Sequence, residues 1–137
     1  MKKALLAALF FAPALLAAEP PPPPPNDPPE VVARLKQEAA SLEQQTRTNP
    51  KDTELFVKLG FTYARLKQAD DAQRAFEAAV ALDPKKAVAH YMLGLIYEKK
   101  GLRDRAIAAW RACLENAGDP QMRATAERHL HHLNAIK

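Results

Sequence analysis

The stretch FVKLGFTYARLKQADDAQRAF, residues 56–76, returns 34 residues later as HYMLGLIYEKKGLRDRAIAAW, residues 90–110. Phe76 of the first stretch aligns with Trp110 of the second. The identical pairs that keep this interval are Leu59 and Leu93, Gly60 and Gly94, Tyr63 and Tyr97, Asp70 and Asp104, Ala72 and Ala106, Ala75 and Ala109, and Ala78 and Ala112. A fixed period of this length indicates stacked supersecondary units.

Each unit predicts a hairpin of two helices. The first helix carries one apolar face with the spacing i, i+3, i+4 and i+7, formed by Phe56, Leu59, Gly60 and Tyr63. A polar stretch, KQADD, follows, and apolar residues then return at helical spacing from Ala72 to Val80. We expect Asp70 to cap the second helix and Pro84 to follow its end. Because Gly60 has no side chain, the two helices can approach closely there.

This spacing resembles the tetratricopeptide repeat (TPR) family, whose pattern is W-x2-L-G-x2-Y…A-x3-F…P. The matching sites are Phe56, Leu59, Gly60, Tyr63, Ala72, Phe76 and Pro84, then His90, Leu93, Gly94, Tyr97, Ala106 and Trp110. In the second unit, His90 stands where a large apolar residue is usual, and Gly118 replaces the closing proline. The resemblance implies two full repeats, at about 53–86 and 87–120.

The sequence before the first repeat predicts a leading helix over 30–48. Asn26 or Asp27 is the expected cap, with Pro28 in the first turn, where proline is tolerated. The helix is expected to stop before Pro50, which precedes the proline that closes the first repeat by 34 residues. The leading helix thus takes the place of the second helix of a preceding repeat.

The sequence after the second repeat predicts a closing helix over 121–135. Its apolar face is formed by Met122, Ala126, Leu130 and Leu133. The expected fold class is therefore all-α: a TPR solenoid of six helices in one domain over 30–137.

The N-terminal residues have a different composition from the domain. Two lysines and an apolar run end at Ala18, so residues 1–18 predict a secretory signal peptide and a periplasmic or secreted protein. Cleavage is expected after Ala18, with Ala17 or Ala14 as alternatives, and a retained membrane anchor is the competing interpretation. Residues 19–29 form a proline-rich spacer whose six consecutive prolines favour a stiff polyproline II conformation. A docking peptide for an aromatic groove is the alternative for this spacer.

Composition argues against several functional classes. The net charge is +4, with Lys and Arg interleaved among Asp and Glu, and no basic face carries interleaved aromatic residues, so we expect no nucleic-acid partner. The sequence contains no HExxH, nucleophile elbow or glycine-rich phosphate loop, and it has only four glycines. We therefore predict no enzyme activity, no catalytic residues and no cofactor.

Cysteine and histidine supply the rival interpretation, a metal-binding or redox protein. Cys113 is the single cysteine and takes the place that Ala79 fills in the first repeat, which indicates packing between helices. His129 and His132 share one helical face, but a metal site needs three or four ligands. We expect these histidines to be solvated surface and name no metal ligand. His90 is expected at the seam of its hairpin.

The resemblance also implies a partner-binding groove formed by the first helices of the repeats. The residues at these positions are Val57, Phe61, Arg65, Val88, Tyr91, Leu95, Glu98 and Lys99. This set implies an apolar groove rimmed by the charged residues, and a function as an adaptor that binds a protein, peptide or helix. Self-association and simple packing are the alternatives. The stretch LEQQTRTNPKDTELFVKLG, residues 42–60, resembles the entry to the TPR domains of cytochrome c maturation and envelope assembly factors.

Overall fold

The computed structural model describes residues 26–135, which contain six α-helices and no β-strand. The helices are α1 (Pro29–Thr48), α2 (Thr53–Arg65), α3 (Ala69–Leu82), α4 (Ala87–Lys99), α5 (Arg103–Asn116) and α6 (Pro120–Ala135). The all-α prediction is confirmed. The predicted signal peptide, and the spacer up to residue 25, lie outside the described residues. Among the described helices, none combines the length and the apolar character that crossing a bilayer requires.

Each helix packs against its neighbours along the chain. The closest pairs are α2 with α3 and α4 with α5, which are the two predicted hairpins. The first hairpin contacts the second through α3 and α4, while α1 covers α2 and α6 covers α5. This nearest-neighbour order is that of a solenoid, in which stacking of the hairpins buries a continuous core.

The two hairpins are closed by the same contact between a glycine and an aromatic ring. A Cβ atom added to Gly60 would lie 2.7 Å from the ring of Phe76, and one added to Gly94 would lie 2.6 Å from the ring of Trp110. Both rings are fully buried, at 0% exposure. The close approach predicted at Gly60 is thus present, and it is repeated in the second unit.

The prediction that Asp70 caps α3 is wrong. The helix begins at Ala69 and its N-cap residue, Gln68, makes no side-chain capping bond. Asp70 therefore lies inside the first turn, where its carboxylate accepts a hydrogen bond from Lys100 at the end of α4. This contact lowers the pKa of Asp70. The capping carboxylate of the repeat is Asp52, which accepts bonds from two backbone N–H groups of α2.

The prediction that Asn26 or Asp27 caps α1 is also wrong. Pro28 occupies the N-cap position and has no side-chain acceptor, so the helix starts without a capping bond. Asp27 instead accepts two hydrogen bonds from Arg65, and Asn26 accepts one from Lys67. These side chains tie the chain that leads into α1 to the C-terminal end of α2.

Candidate partner-binding groove

A pocket lies where the C-terminal ends of α2 and α4, the first helices of the two hairpins, meet the start of α3. Its volume is about 180 Å³, and it is lined by Ala64, Lys67, Ala69, Ala72, Leu95, Ile96 and Lys99. We call it the α2–α4 pocket. Five of these residues are apolar and two are lysines, so an apolar side chain with an acidic neighbour would find complementary contacts there. Two of the predicted groove residues, Leu95 and Lys99, lie in this lining.

Two predicted aromatic residues of the groove rest edge-on against buried rings. Phe61 on α2 packs against Phe76 with ring centroids 5.3 Å apart and an interplanar angle of 87°. Tyr91 on α4 packs against Trp110 in the same way, at 5.2 Å and 86°. Phe61 remains 41% exposed, and Tyr91 is half-buried. Edge-to-face packing thus fixes both side chains while leaving apolar surface in contact with solvent.

The valines of the predicted groove contribute more to packing than to the surface. Val57 is only 6% exposed and belongs to the main core cluster. Val88 is partly buried against the same cluster. Val57 is the counterpart of Tyr91 in the repeat alignment, so equivalent positions carry a core side chain in one unit and a half-buried side chain in the next.

The charged residues predicted at the rim differ in how they are bound. The Arg65 guanidinium donates to both carboxylate oxygens of Asp27, at 3.1 and 3.2 Å, and these hydrogen bonds raise the pKa of Arg65. Lys99 is exposed at the end of α4. Glu98 is held by hydrogen bonds within the domain, so it is not a freely available rim charge.

Glu98 joins three helices in a polar and aromatic cluster. One of its carboxylate oxygens accepts a hydrogen bond from Trp110 Nε1 at 2.8 Å. The same oxygen lies 2.6 Å from Nδ1 of His129 on α6. The imidazole ring of His129 also stacks on the Trp110 ring, at 4.3 Å between centroids and 17° between planes. This cluster is one of the contacts that hold the closing helix against the second hairpin. Another is the Arg103 guanidinium of α5, which donates two hydrogen bonds to the carbonyl oxygen of Leu133.

This cluster corrects the expectation that His129 belongs to a solvated surface. His132 is exposed as expected, and it lines an open pocket of about 370 Å³ together with Glu98, Arg128 and His129. Within the described residues, no group of three or more His, Cys, Asp or Glu side chains is placed to hold a metal ion. The contacts of His129 with Glu98 and Trp110 thus help to hold α6 in the fold.

The remaining candidate residues for chemistry are engaged in packing. Cys113 is fully buried, and burial raises the pKa of its thiol. Ala79, its counterpart in the first repeat, is equally buried. His90 lies at the start of its hairpin, with Nε2 2.7 Å from the carbonyl oxygen of Pro84. A buried thiol of raised pKa is poorly suited to redox exchange, since the thiolate is the reactive form.

Family profiles of the tetratricopeptide repeat match residues 53–86 and residues 87–120. The chain belongs to the tetratricopeptide repeat family. The predicted family is thus confirmed, while the resemblance to cytochrome c maturation factors stays a prediction. A search of curated proteins found no match to this TPR protein.

Solved structures share the fold. PcrH, in a crystal structure with the chaperone binding region of PopD, superposes with a TM-score of 0.68 at 14% identity, over 77% of this chain and 83% of PcrH. The type III secretion translocator chaperone SycD of Yersinia enterocolitica superposes with a TM-score of 0.64 at 18% identity, over 78% of this chain and 74% of SycD. At these identities the likeness establishes the TPR fold.

Proposed function

We propose that this TPR protein is an exported, non-catalytic adaptor that binds a peptide or helix of a partner protein. The proposed binding surface consists of Phe61, Tyr91, Leu95 and the α2–α4 pocket. We refer to it below as the groove.

The observation that carries this proposal is the exposure of Phe61. It is a large apolar side chain at 41% exposure, and the ring beneath it, Phe76, is already completely buried. Folding alone therefore leaves apolar area uncovered on Phe61. Full burial of a side chain of this size is worth roughly 1.5–3 kcal/mol. Covering the 41% that is still exposed therefore contributes roughly 0.6–1.2 kcal/mol, which corresponds to about three- to eight-fold in affinity.

The apolar lining of the neighbouring pocket supports the same ligand class. Leu95 and Ile96 supply its larger apolar side chains, and the small residues around them leave a cavity of about 180 Å³. This volume suits one or two apolar side chains of a peptide, and it is below the range of about 300–1,000 Å³ that is usual for small-molecule sites.

The PcrH structure supports a polypeptide ligand for this fold. In that structure a TPR-like protein holds a region of another protein, the chaperone binding region of PopD. At 14% identity the choice of partner does not transfer, so the partner proposed here is defined only by its chemistry. It is an apolar segment that can place an acidic group near Lys99.

The decisive variant carries Phe61→Glu together with Leu95→Glu. Charge in the apolar groove should abolish capture of the partner in a pull-down from the native envelope fraction. The double variant should keep its helical circular-dichroism signal and unfold cooperatively, because Phe61 is 41% exposed and Leu95 is only partly buried. A modest fall in Tm is expected, since the contact between the rings of Phe61 and Phe76 is lost. Leu82→Glu is the matched control, since Leu82 is an exposed apolar residue at the end of α3.

Either of two results counts against the groove. If the double variant unfolds, Phe61 and Leu95 are required by the core. If it stays folded and captures the same protein as the Leu82→Glu control, the partner uses another surface. Raising the salt concentration should weaken the wild-type complex only modestly, because apolar burial is not screened by ions.

Export is a separate part of the proposal, supported by the sequence of residues 1–18. Mass spectrometry of the native protein should give a mature N-terminus at or near Glu19. An intact Met1 in a membrane pellet would favour a retained anchor instead.

A further inference from the structure

The described chain begins beside the α2–α4 pocket. Lys67 lines that pocket, and its ammonium group donates a hydrogen bond to the side-chain oxygen of Asn26. Asp27 is fixed next to it by the two hydrogen bonds from Arg65. Asn26 therefore lies within the length of one lysine side chain of the pocket. The residues that precede Asn26 in the sequence join the described chain at that point.

The backbone of Lys67 is strained where it holds this contact. Its φ of 59° is left-handed, a conformation that L-residues with a side chain rarely adopt. The counterpart of Lys67 in the second repeat is Gly101, with a φ of 73°. Glycine adopts this turn without cost, so the first repeat carries a lysine where the backbone favours glycine. Such strain at a contact residue is a reason to look for a function.

The residues immediately before Asn26 are six consecutive prolines, Pro20–Pro25. In a polyproline II conformation, at about 3.1 Å per residue, this run is about 19 Å long. Helix α4 has 13 residues, and its length is also about 19 Å at roughly 1.5 Å per residue. A run that starts at the C-terminal end of α4 is thus long enough to reach past Leu95 to Tyr91.

The chemistry of the groove suits such a run. Polyproline segments are bound by apolar grooves with aromatic walls, and their ordering cost is low because the conformation is preformed. Phe61 and Tyr91 present aromatic surface, and the pocket between them and Asn26 is mostly apolar. Tethering through Asn26 and Asp27 makes the contact intramolecular, which raises the effective concentration of the run at the groove.

We propose that Pro20–Pro25 of this chain pack onto the groove when no partner is bound. The inference rests on the proposed function, because it takes the groove as a surface that binds polypeptide. Residues 20–25 then act as a built-in competitor that a partner must displace, and the contacts of Lys67 and Arg65 set where the run starts.

A paramagnetic label on the proline run tests the contact directly. The label is attached to Pro22→Cys in a chain that keeps the rest of the run and carries Cys113→Ala, since alanine occupies the equivalent position, Ala79, in the first repeat. The readout is the backbone amide of Tyr91, which lies two turns from the C-terminal end of α4, away from the point where Asn26 and Asp27 are tethered. We expect this amide to lose most of its NMR signal intensity, while that of Leu82 keeps its intensity. The loss should not depend on protein concentration, and Leu95→Glu should restore the signal at Tyr91.

Two outcomes overturn the proposal. Full intensity at Tyr91 means that the run does not visit the groove. A loss that grows with protein concentration means that a second copy supplies the occupant. Partner capture separates this inference from the proposed function: if the Phe61→Glu and Leu95→Glu variant loses its partner while the label has no effect at Tyr91, only the inference about the run fails. If the label acts at Tyr91 but the wild-type protein captures no partner, the proposed function fails.

Discussion

Gly94→Ala should destabilise the protein, although alanine is the better helix former. The added Cβ atom would lie 2.6 and 2.7 Å from two ring carbons of Trp110, whereas carbon atoms in favourable contact are about 3.5–4.0 Å apart. The ring or the helix would have to move by about 1 Å to restore contact distances.

The surroundings of Trp110 oppose that movement. The ring is completely buried, its Nε1 is bonded to Glu98, and it is flanked by Tyr91 and by the stacked ring of His129. Overpacking of a fixed core costs about 1–3 kcal/mol, and a locked ring favours the upper part of that range. The helix propensity of alanine offsets about 1 kcal/mol. The expected net loss is about 2 kcal/mol, or roughly 8 °C in Tm for a domain near 100 residues.

Thermal unfolding followed by circular dichroism measures this loss. Trp110 is the only tryptophan, so its fluorescence reports on the same contact. Gly118→Ala is the matched control, because nothing lies within 4 Å of the Cβ that it would add. The control should leave Tm unchanged or slightly raised. A Tm for Gly94→Ala at or above that of the wild type would refute the argument that this glycine exists for the ring.

Three further changes test other contacts. His129→Ala removes the ring stacked on Trp110 and should lower the free energy of unfolding by roughly 1–2 kcal/mol. The tryptophan emission should shift to the red. An unaltered spectrum and melt would show that the closing helix does not need this contact. Lys67→Gly should raise the free energy of unfolding by up to about 1 kcal/mol in denaturant titrations. Lys67 has a left-handed backbone conformation, and glycine occupies the equivalent position, Gly101, in the other repeat. A large loss of stability would mean that the contacts of the lysine side chain outweigh the backbone strain. Burial and a 2.6 Å bond to Glu77 raise the pKa of Tyr97 to about 12, so its contribution is complete below pH 10 and is lost as the pH rises to about 12. Tyr97→Phe should therefore flatten the alkaline loss of stability in urea titrations, and equal slopes for the two proteins would contradict this.

The repeat interval made the hairpins predictable. Each position was seen twice, so the small residue at Gly60 and the aromatic residue at Phe76 could be recognised as a pair that returns at Gly94 and Trp110. The physical reason is steric: only a position without a side chain accepts a ring at 2.6–2.7 Å from the place of its Cβ.

The parts without a repeated counterpart were not predictable in the same way. The contact of His129 with Glu98 joins residues 31 positions apart, on a closing helix for which the chain has no second example. Helix starts were misjudged for a local reason, because a side chain one or two residues from the true N-cap cannot reach the free N–H groups. Asp27 and Asp70 consequently bind neighbouring basic side chains, Arg65 and Lys100.

The groove was predicted as a set of positions but not as a surface. The alignment of repeats places Val57 and Tyr91 at equivalent sites, yet Val57 is buried and Tyr91 is only half-buried. Side-chain size and the neighbouring helices decide this difference, and neither follows from the interval alone.

Site-specific photo-crosslinking in the native host tests the binding surface most directly. A photoreactive side chain at Leu95 lies in the groove, whereas one at Ala108 lies on an exposed part of α5, beside a pocket that it shares with Val80 of α3. We expect a covalent adduct with a second protein from position 95 and none from position 108. Adducts from position 108 alone, or equal adducts from both positions, would contradict the claim that this protein binds its partner in the groove.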